Sequence, residues 1–119
     1  MANIKAALEE LLSCDGAMCT ALVDSNSGMV LGEAGAGMDL EVAAAGNTEV
    51  VRAKMKTMRS LALNDVIEDI LITLGKQYHI IRPVAANEGL FIYLVLDRNK
   101  SNLAMARRKV LEIEKLLVM

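Results

Sequence analysis

The side chains with the greatest potential for chemistry in this sequence are two cysteines and one histidine. Cys14 and Cys19 lie five residues apart, whereas His79 is far along the chain. Two thiols at that spacing and one distant imidazole do not match the ligand pattern of a zinc site, and His79 has no acidic or cysteine neighbour at ligand spacing. We therefore expect a buried or free thiol pair in a reducing compartment, and a histidine with a structural role.

Two further stretches resemble settings for chemistry, and both have simpler interpretations. Asp24 stands before the turn Ser-Asn-Ser-Gly at residues 25–28, where a carboxylate accepts hydrogen bonds from backbone N–H groups. Residues 32–37, Gly-Glu-Ala-Gly-Ala-Gly, lie between a strand and a helix as phosphate loops do. They lack the Gly-Lys-Ser/Thr of such a loop, and Asp39 at the helix start would repel phosphate, so they indicate a flexible linker. No nucleophile has a base beside it, and the sequence predicts neither an enzyme nor a bound cofactor or metal.

The composition is that of one globular domain covering residues 1–119. With 54% hydrophobic and 24% charged residues, the chain can bury a real core. Its net charge of -2 argues against nucleic acid or anionic lipid as a partner. The first residues contain no apolar core of the signal-peptide kind, and no stretch reaches membrane-spanning length without charges. We expect no membrane insertion and a cytoplasmic location.

Hydrophobic periodicity divides the chain into three helices and five strands. The central stretch is Leu90–Asp97, which has no polar face until its last residue and therefore needs helices on both sides of its sheet. The predicted elements are a helix capped by Asn3 and ending near Ser13, strands at residues 17–24 and 29–34, a helix at residues 40–59 capped by Asp39, strands at residues 66–75, 78–85 and 90–97, and a helix capped by Ser101 or Asn102. Pro83 lacks a backbone donor and predicts a bulge or the end of strand pairing.

The long helix and the strand after it have features of an interaction surface. The helix has two apolar sides, and Ala43, Ala44 and Gly46 are small enough to let a second copy of the helix approach. A wide core face inside a monomer explains the same pattern. Glu68 and Asp69 place one acid on each face of an otherwise apolar strand, which is typical of a sheet edge.

Four stretches together resemble the Roadblock family of dynein-light-chain-related proteins, in particular its small bacterial members. They are Ala-Leu-Val-Asp at residues 21–24, Ser-Gly-Met-Val-Leu at residues 27–31, the hairpin from residues 70–73 into residues 78–83, and residues 96–107 with Leu-Asp-Arg and Asn-Leu-Ala-Met-Ala-Arg. The resemblance spans nearly the whole chain. It implies an α/β fold of the α+β type with three profilin-like layers. In that fold a five-stranded antiparallel sheet of order 2-1-5-4-3 has the first and last helices on one face and the long middle helix on the other.

The resemblance also implies a function. Members of the family are non-catalytic homodimers that bind and regulate small Ras-like GTPases, or serve as dynein or signalling scaffold subunits. They dimerise through the third strand and the long helix, which here implies an interface containing Asn47, Val51, Met55, Met58, Val66, Glu68, Ile70 and Ile72. Separately, the charge pattern of the last helix offers Arg107 and Arg108 to an acidic partner.

We therefore predict a homodimeric adaptor or regulator that binds a small GTPase or a signalling complex. The alternative is a small-ligand sensor, because related profilin-like and PAS-like sheets hold ligands between sheet and helix. With one Phe, two Tyr and no Trp, the chain has few aromatic residues for the walls of such a pocket.

Overall fold

The computed structural model describes residues 3–117, and the predicted elements follow one another in the expected order. They are α1 (Ile4–Leu11), β1 (Ala17–Asp24), β2 (Met29–Gly35), α2 (Leu40–Ser60), β3 (Ile70–Thr73), β4 (Gln77–Pro83), β5 (Leu90–Asp97) and α3 (Leu103–Leu116). The strands form one antiparallel sheet of order β2-β1-β5-β4-β3, which confirms the predicted fold class. Residues 1–2 and 118–119 of the predicted domain lie outside the described residues. Within residues 3–117, no helix is long and apolar enough to cross a membrane.

The central strand β5 separates two hydrophobic layers. Ile92, Leu94 and Leu96 face the layer that contains the buried side chains of α1 and α3. Phe91 and Tyr93 face the layer covered by α2. Because both faces of β5 are covered, a strand without a polar face is stable at this position. The first and last helices therefore lie on one side of the sheet and the middle helix on the other, as predicted.

Polar side chains define where the helices begin. Asn3 accepts a hydrogen bond from the backbone N–H of Ala6, and Asn102 caps α3 through the N–H of Met105. Asp39 caps α2 by accepting from two backbone N–H groups. The helix α1 ends at Leu11, two residues before the predicted end, because the next N–H groups bond three residues back and tighten the chain into a turn.

The third strand is shorter than predicted, since β3 spans Ile70–Thr73 and not residues 66–75. Ile70 pairs with Ile81, so a longer strand would place Glu68 opposite Pro83, which has no N–H to donate. Pro83 is the last residue of β4, which confirms that it marks the end of pairing. Residues 66–69 consequently approach the sheet as an irregular segment, and Val66 is 78% exposed.

The predicted flexible linker at residues 32–37 is wrong for its first four residues, which belong to β2. Gly32 and Gly35 belong to β2, and α1 packs directly on Gly32. A Cβ atom on Gly32 would lie 2.7 Å from Cγ2 of Ile4, so glycine is required there for close packing. The glycines follow from the contact between helix and strand, and phosphate binding is not needed to explain them.

Candidate protein-interaction surface

The outer edge of β3 is a sheet edge without a strand partner among residues 3–117. The N–H of Leu74 donates to the carbonyl of Gln77, so the backbone groups of Ile72 and Ile70 also point towards β4 in the alternating antiparallel ladder. The backbone groups of Leu71 and Thr73 therefore point outwards. This edge offers a short, flat row of free donors and acceptors.

The opposite edge of the sheet, β2, is less suited to pairing. Its register shifts where Val30 and Gly32 pair with consecutive residues of β1, which leaves Leu31 as a bulge. Gly35 ends the strand at a positive φ of 87°. Bulges twist a strand and interrupt its row of hydrogen-bonding groups, so a second sheet would add at β3 more easily than at β2.

The helix α2 extends beyond the sheet that it covers. Val51 is its last buried residue at 2% exposure, and residues 52–60 are exposed except for the half-buried Met58. The stripe of side chains that faces the sheet nevertheless continues at helical spacing through Met55 and Met58. About two and a half turns of helix thus present an apolar stripe with no sheet beneath them.

An open groove of about 640 Å³ lies between this overhanging part of α2 and the segment that leads into β3. Met58, Leu63 and Val66 supply apolar lining, and acidic side chains including Glu68 supply polar lining. Lys54 is the one basic residue in the lining. The groove joins the overhanging helix to the free edge of β3, so the two features form one continuous surface.

The predicted interface residues divide into accessible and inaccessible groups. Met55, Met58, Val66 and Glu68 lie on the overhanging helix or in the segment before β3, and Ile70 and Ile72 lie half-buried on the α2 face of β3. Val51 does not belong to an accessible surface, because it packs in the core under α2. Asn47 is half-buried, and its Nδ2 donates to the carbonyl of Ala43 at 2.7 Å.

The two arginines predicted to meet a partner differ in their contacts. Arg107 donates from Nε and Nη2 to the two carboxylate oxygens of Asp69, at 2.8 and 3.0 Å. This bidentate contact raises the pKa of Arg107 and ties α3 to the segment before β3. Arg108 is exposed and forms no ion pair among the described residues. Sequence reasoning missed the Arg107–Asp69 contact because the partners are 38 residues apart.

A chain of polar contacts lies under the first half of α2. The Nδ1 atom of His79 is 3.0 Å from the Tyr93 hydroxyl, and its Nε2 atom is 2.8 Å from Oε1 of Gln77. The same hydroxyl is 3.4 Å from the sulfur of Met38. Burial lowers the pKa of His79 and raises the pKa of Tyr93, so both rings are neutral near pH 7. The chain borders a shallow cleft of about 420 Å³.

The thiols show no sign of activation. Cys14 is half-buried, Cys19 is fully buried, and both are free. Burial raises the pKa of both thiols, and the positive charge of Lys109 near Cys14 offsets this only in part. Among residues 3–117, no group of three His, Cys, Asp or Glu side chains is arranged to hold a metal ion.

The β1–β2 turn is built as predicted around Asp24. Its carboxylate accepts from the N–H of Asn26 at 2.9 Å and from the hydroxyl of Ser27 at 3.2 Å. Gly28 closes the turn at a positive φ of 77°. The aspartate has a structural function in this turn.

Solved structures share the whole architecture of the chain, although no protein-family model and no curated protein matches its sequence. A Roadblock/LC7 domain from Streptomyces avermitilis is 12% identical with a TM-score of 0.82, and the match covers 96% of this chain and 93% of that chain. Myxococcus xanthus MglB is 19% identical with a TM-score of 0.84, covering 96% and 90%. An MglB with a tetrameric arrangement is 20% identical with a TM-score of 0.82, covering 94% and 82%.

The sheet order and the division of the helices define an antiparallel three-layer sandwich with a free edge at β3. The structural similarity over more than nine tenths of the chain makes this sandwich a Roadblock-type fold. The resemblance seen in the sequence is therefore confirmed at the level of the fold.

Proposed function

We propose that this protein is a non-catalytic homodimeric adaptor or regulator whose partner is a small Ras-like GTPase or a signalling complex containing one. The observation that carries the proposal is the continuous surface formed by the overhanging part of α2 and the free edge of β3. In a single copy, the overhanging helix exposes apolar side chains to water and the edge of β3 exposes unpaired backbone groups. A second copy would cover the apolar side chains and pair with the backbone groups. The Roadblock-type fold supports the same function, since it is shared with MglB structures, one of them in a tetrameric arrangement.

The geometry of β3 restricts how two copies pair. Leu71 and Thr73 carry the outward backbone groups, so each has to lie opposite an outward-facing residue of the second copy. The two-fold axis therefore passes through a residue and not between two residues, and Leu71 and Ile72 are the two middle residues of the strand. With the axis on Leu71, Ile70 lies beside Ile72 of the second copy. With the axis on Ile72, Leu71 lies opposite Thr73 of the second copy. In both arrangements apolar side chains meet along the α2 face of the joined sheet.

The test of the dimer is Leu71→Lys, which places a charge on the free edge where natural sheets use lysine to prevent pairing. We expect sedimentation velocity at micromolar concentration to show a dimer for the wild type and a monomer for this variant. The matched control is Leu31→Lys on the bulged β2 edge, because both leucines are exposed strand residues. The control should remain dimeric. A monomeric wild type, or dissociation by both variants, would remove the basis of the proposal.

The GTPase partner is tested with the purified dimer as bait in a lysate of the source organism supplemented with GDP or a GTP analogue. We expect a small Ras-like GTPase to be retained, with a preference for one nucleotide state. Retention by wild type and Leu31→Lys but not by Leu71→Lys would show that the dimer forms the binding platform. If no GTPase is retained in either nucleotide state, this part of the proposal is wrong.

A second candidate function is a small-ligand sensor, which the cleft beside His79 and Tyr93 favours. The cleft is bounded by α2 and the sheet, where polar groups of Asn47 and the two rings converge. Thermal-shift screening against metabolites tests it, with His79→Gln as the control for binding in this cleft. A large increase in melting temperature that disappears in the variant would favour the sensor over the adaptor.

A further inference from the structure

The overhanging part of α2 carries a concentration of positive charge that neither the fold nor the dimer proposal uses. Four of the 13 Lys and Arg residues of the chain lie within residues 52–59, which contain no acidic residue. At 3.6 residues per turn, Arg52, Lys56 and Arg59 share an arc of about 60° and form one stripe. We call these three residues the basic stripe. All three are exposed, and the stripe lies beside Met55.

The basic stripe has no compensating acid among residues 3–117, unlike Lys5 on α1 and Lys109 on α3. Lys5 pairs with Glu9 on α1 at 3.9 Å, and Lys109 pairs with Glu112 on α3 at 3.7 Å, both at helical spacing. Among residues 3–117, no member of the basic stripe is within ion-pair distance of a carboxylate. Glu49 precedes Arg52 by about one turn, and it forms no ion pair in the described part of the chain.

The arrangement opposes helix stability. Arg52 and Lys56 are four residues apart, and Lys56 and Arg59 are three residues apart. Side chains at these spacings are neighbours on the helix surface, so the like charges repel each other. The negative end of the helix dipole attracts cations only in the last turn, so it favours Arg59 but does not account for Arg52, two turns earlier. A stripe that is unfavourable for the helix and unpaired within the chain is explained by a negative surface outside it.

We propose that the basic stripe binds an acidic patch on the surface of a partner protein. This inference rests on the proposed adaptor function, because it specifies the chemistry by which the adaptor recognises its partner. A protein surface fits better than a nucleic acid or a membrane. The chain carries a net charge of -2, which opposes association with the dense negative charge of a nucleic acid or an anionic membrane.

The test uses a defined probe in place of the unidentified partner. The probe is a fluorescein-labelled helical peptide of about 20 residues that carries Glu at i, i+4 and i+7 on one face, and its control has Gln at those positions. Binding is measured by fluorescence anisotropy at about 50 mM and about 200 mM salt. We expect the wild type to prefer the Glu peptide and to lose most of this preference at the higher salt.

The matched variants remove two charges each. Arg52→Gln with Lys56→Gln should weaken binding of the Glu peptide about three- to tenfold, as expected for two surface charge pairs. Lys100→Gln with Lys115→Gln removes two other exposed cations that form no ion pair within residues 3–117, and it should leave binding within about twofold. Because the stripe variant relieves repulsion, its melting temperature should stay level or rise, whereas a purely structural role for the stripe predicts a decrease.

Several outcomes overturn the inference. Equal binding of the two peptides, or equal losses in the two double variants, would show only general attraction of anions. Binding to vesicles of phosphatidylserine and phosphatidylcholine without binding to the Glu peptide would assign the stripe to membranes. Sedimentation of the same samples separates the two proposals. A monomeric wild type that still binds the Glu peptide through the stripe refutes the dimer alone, and a dimer that ignores the peptide refutes the stripe alone.

Discussion

The contact between α3 and β4 should contribute strongly to the stability of the fold, and replacing Glu114 tests this. Glu114 is a carboxylate at only 7% exposure. It forms an ion pair with Arg82, whose side chain is 18% exposed, and accepts a hydrogen bond from the N–H of Ala85 at 2.8 Å. One buried carboxylate thus ties the last helix to both β4 and the loop after it.

The magnitude follows from what each substitution leaves unpaired. Glu114→Gln keeps an acceptor for the Ala85 N–H but leaves the Arg82 guanidinium without a counter-charge. Breaking a fully buried pair costs about 3–5 kcal/mol, and the partial exposure of Arg82 reduces this to about 2–3 kcal/mol. Glu114→Ala also leaves the Ala85 N–H unpaired and should cost about 1 kcal/mol more. Replacing both partners, Arg82→Met with Glu114→Leu, should restore the part of the loss that comes from the unpaired guanidinium, whereas the Ala85 N–H stays without its carboxylate acceptor.

Urea unfolding followed by circular dichroism measures these changes, at one protein concentration because the dimerisation proposed above would be linked to folding. With a dependence of about 1–3 kcal/mol per molar urea, a loss of about 2–3 kcal/mol in Glu114→Gln should lower the midpoint by about 0.7–3 M. Lys115→Gln, at the next position and exposed, is the control and should shift the midpoint little. The reasoning would be refuted by a loss below about 0.5 kcal/mol for Glu114→Gln. It would also be refuted if Arg82→Met with Glu114→Leu were no more stable than the less stable of these two substitutions made singly.

Two further predictions concern packing and pH. Gly32→Ala should lower the unfolding free energy by about 1–3 kcal/mol, because the new Cβ would lie 2.7 Å from Cγ2 of Ile4. Gly46→Ala should stabilise α2, because nothing lies within 4 Å of its new Cβ. Equal effects of the two variants on the urea midpoint would contradict this. Burial lowers the pKa of His79 below its ordinary value of 6.5, so the unfolded chain binds a proton that the folded chain does not, and stability should fall as the pH drops through about 6.5. His79→Gln should flatten that slope between about pH 7 and pH 5, and an unchanged slope would exclude His79 as its source.

The elements of the fold were predictable where local patterns and burial agree. Leu90–Asp97 has apolar residues on both faces, and it is the central, fully covered strand. The aspartate at position 39 marked the start of α2, because a capping side chain acts on the N–H groups next to it in sequence. The sheet order came from the resemblance, since short-range patterns do not specify which strands pair.

The features that the sequence did not reveal depend on distant partners. Residues 66–69 have a strand-like pattern, but they do not extend β3, because Pro83 on the neighbouring strand has no N–H to donate. The sequence predicted a structural role for His79, but its contact with Tyr93 depends on the pairing of β4 and β5. The end of the sheet beneath α2 depends likewise on tertiary geometry, so Val51 and Met55 looked equivalent in the sequence.

The unequal edges of the sheet limit the size of any assembly built from this chain. A sheet with two equally good edges adds a copy on each side and grows into an open ribbon without a natural end. Here the bulge at Leu31 and the positive φ of Gly35 disfavour growth at β2, so the strand pairing that we propose between copies would use β3 alone. Pairing of one edge with itself across a two-fold axis consumes both free edges and closes at two copies. The irregularity of β2 thereby protects the chain against fibre formation, and any higher assembly has to use helical surfaces.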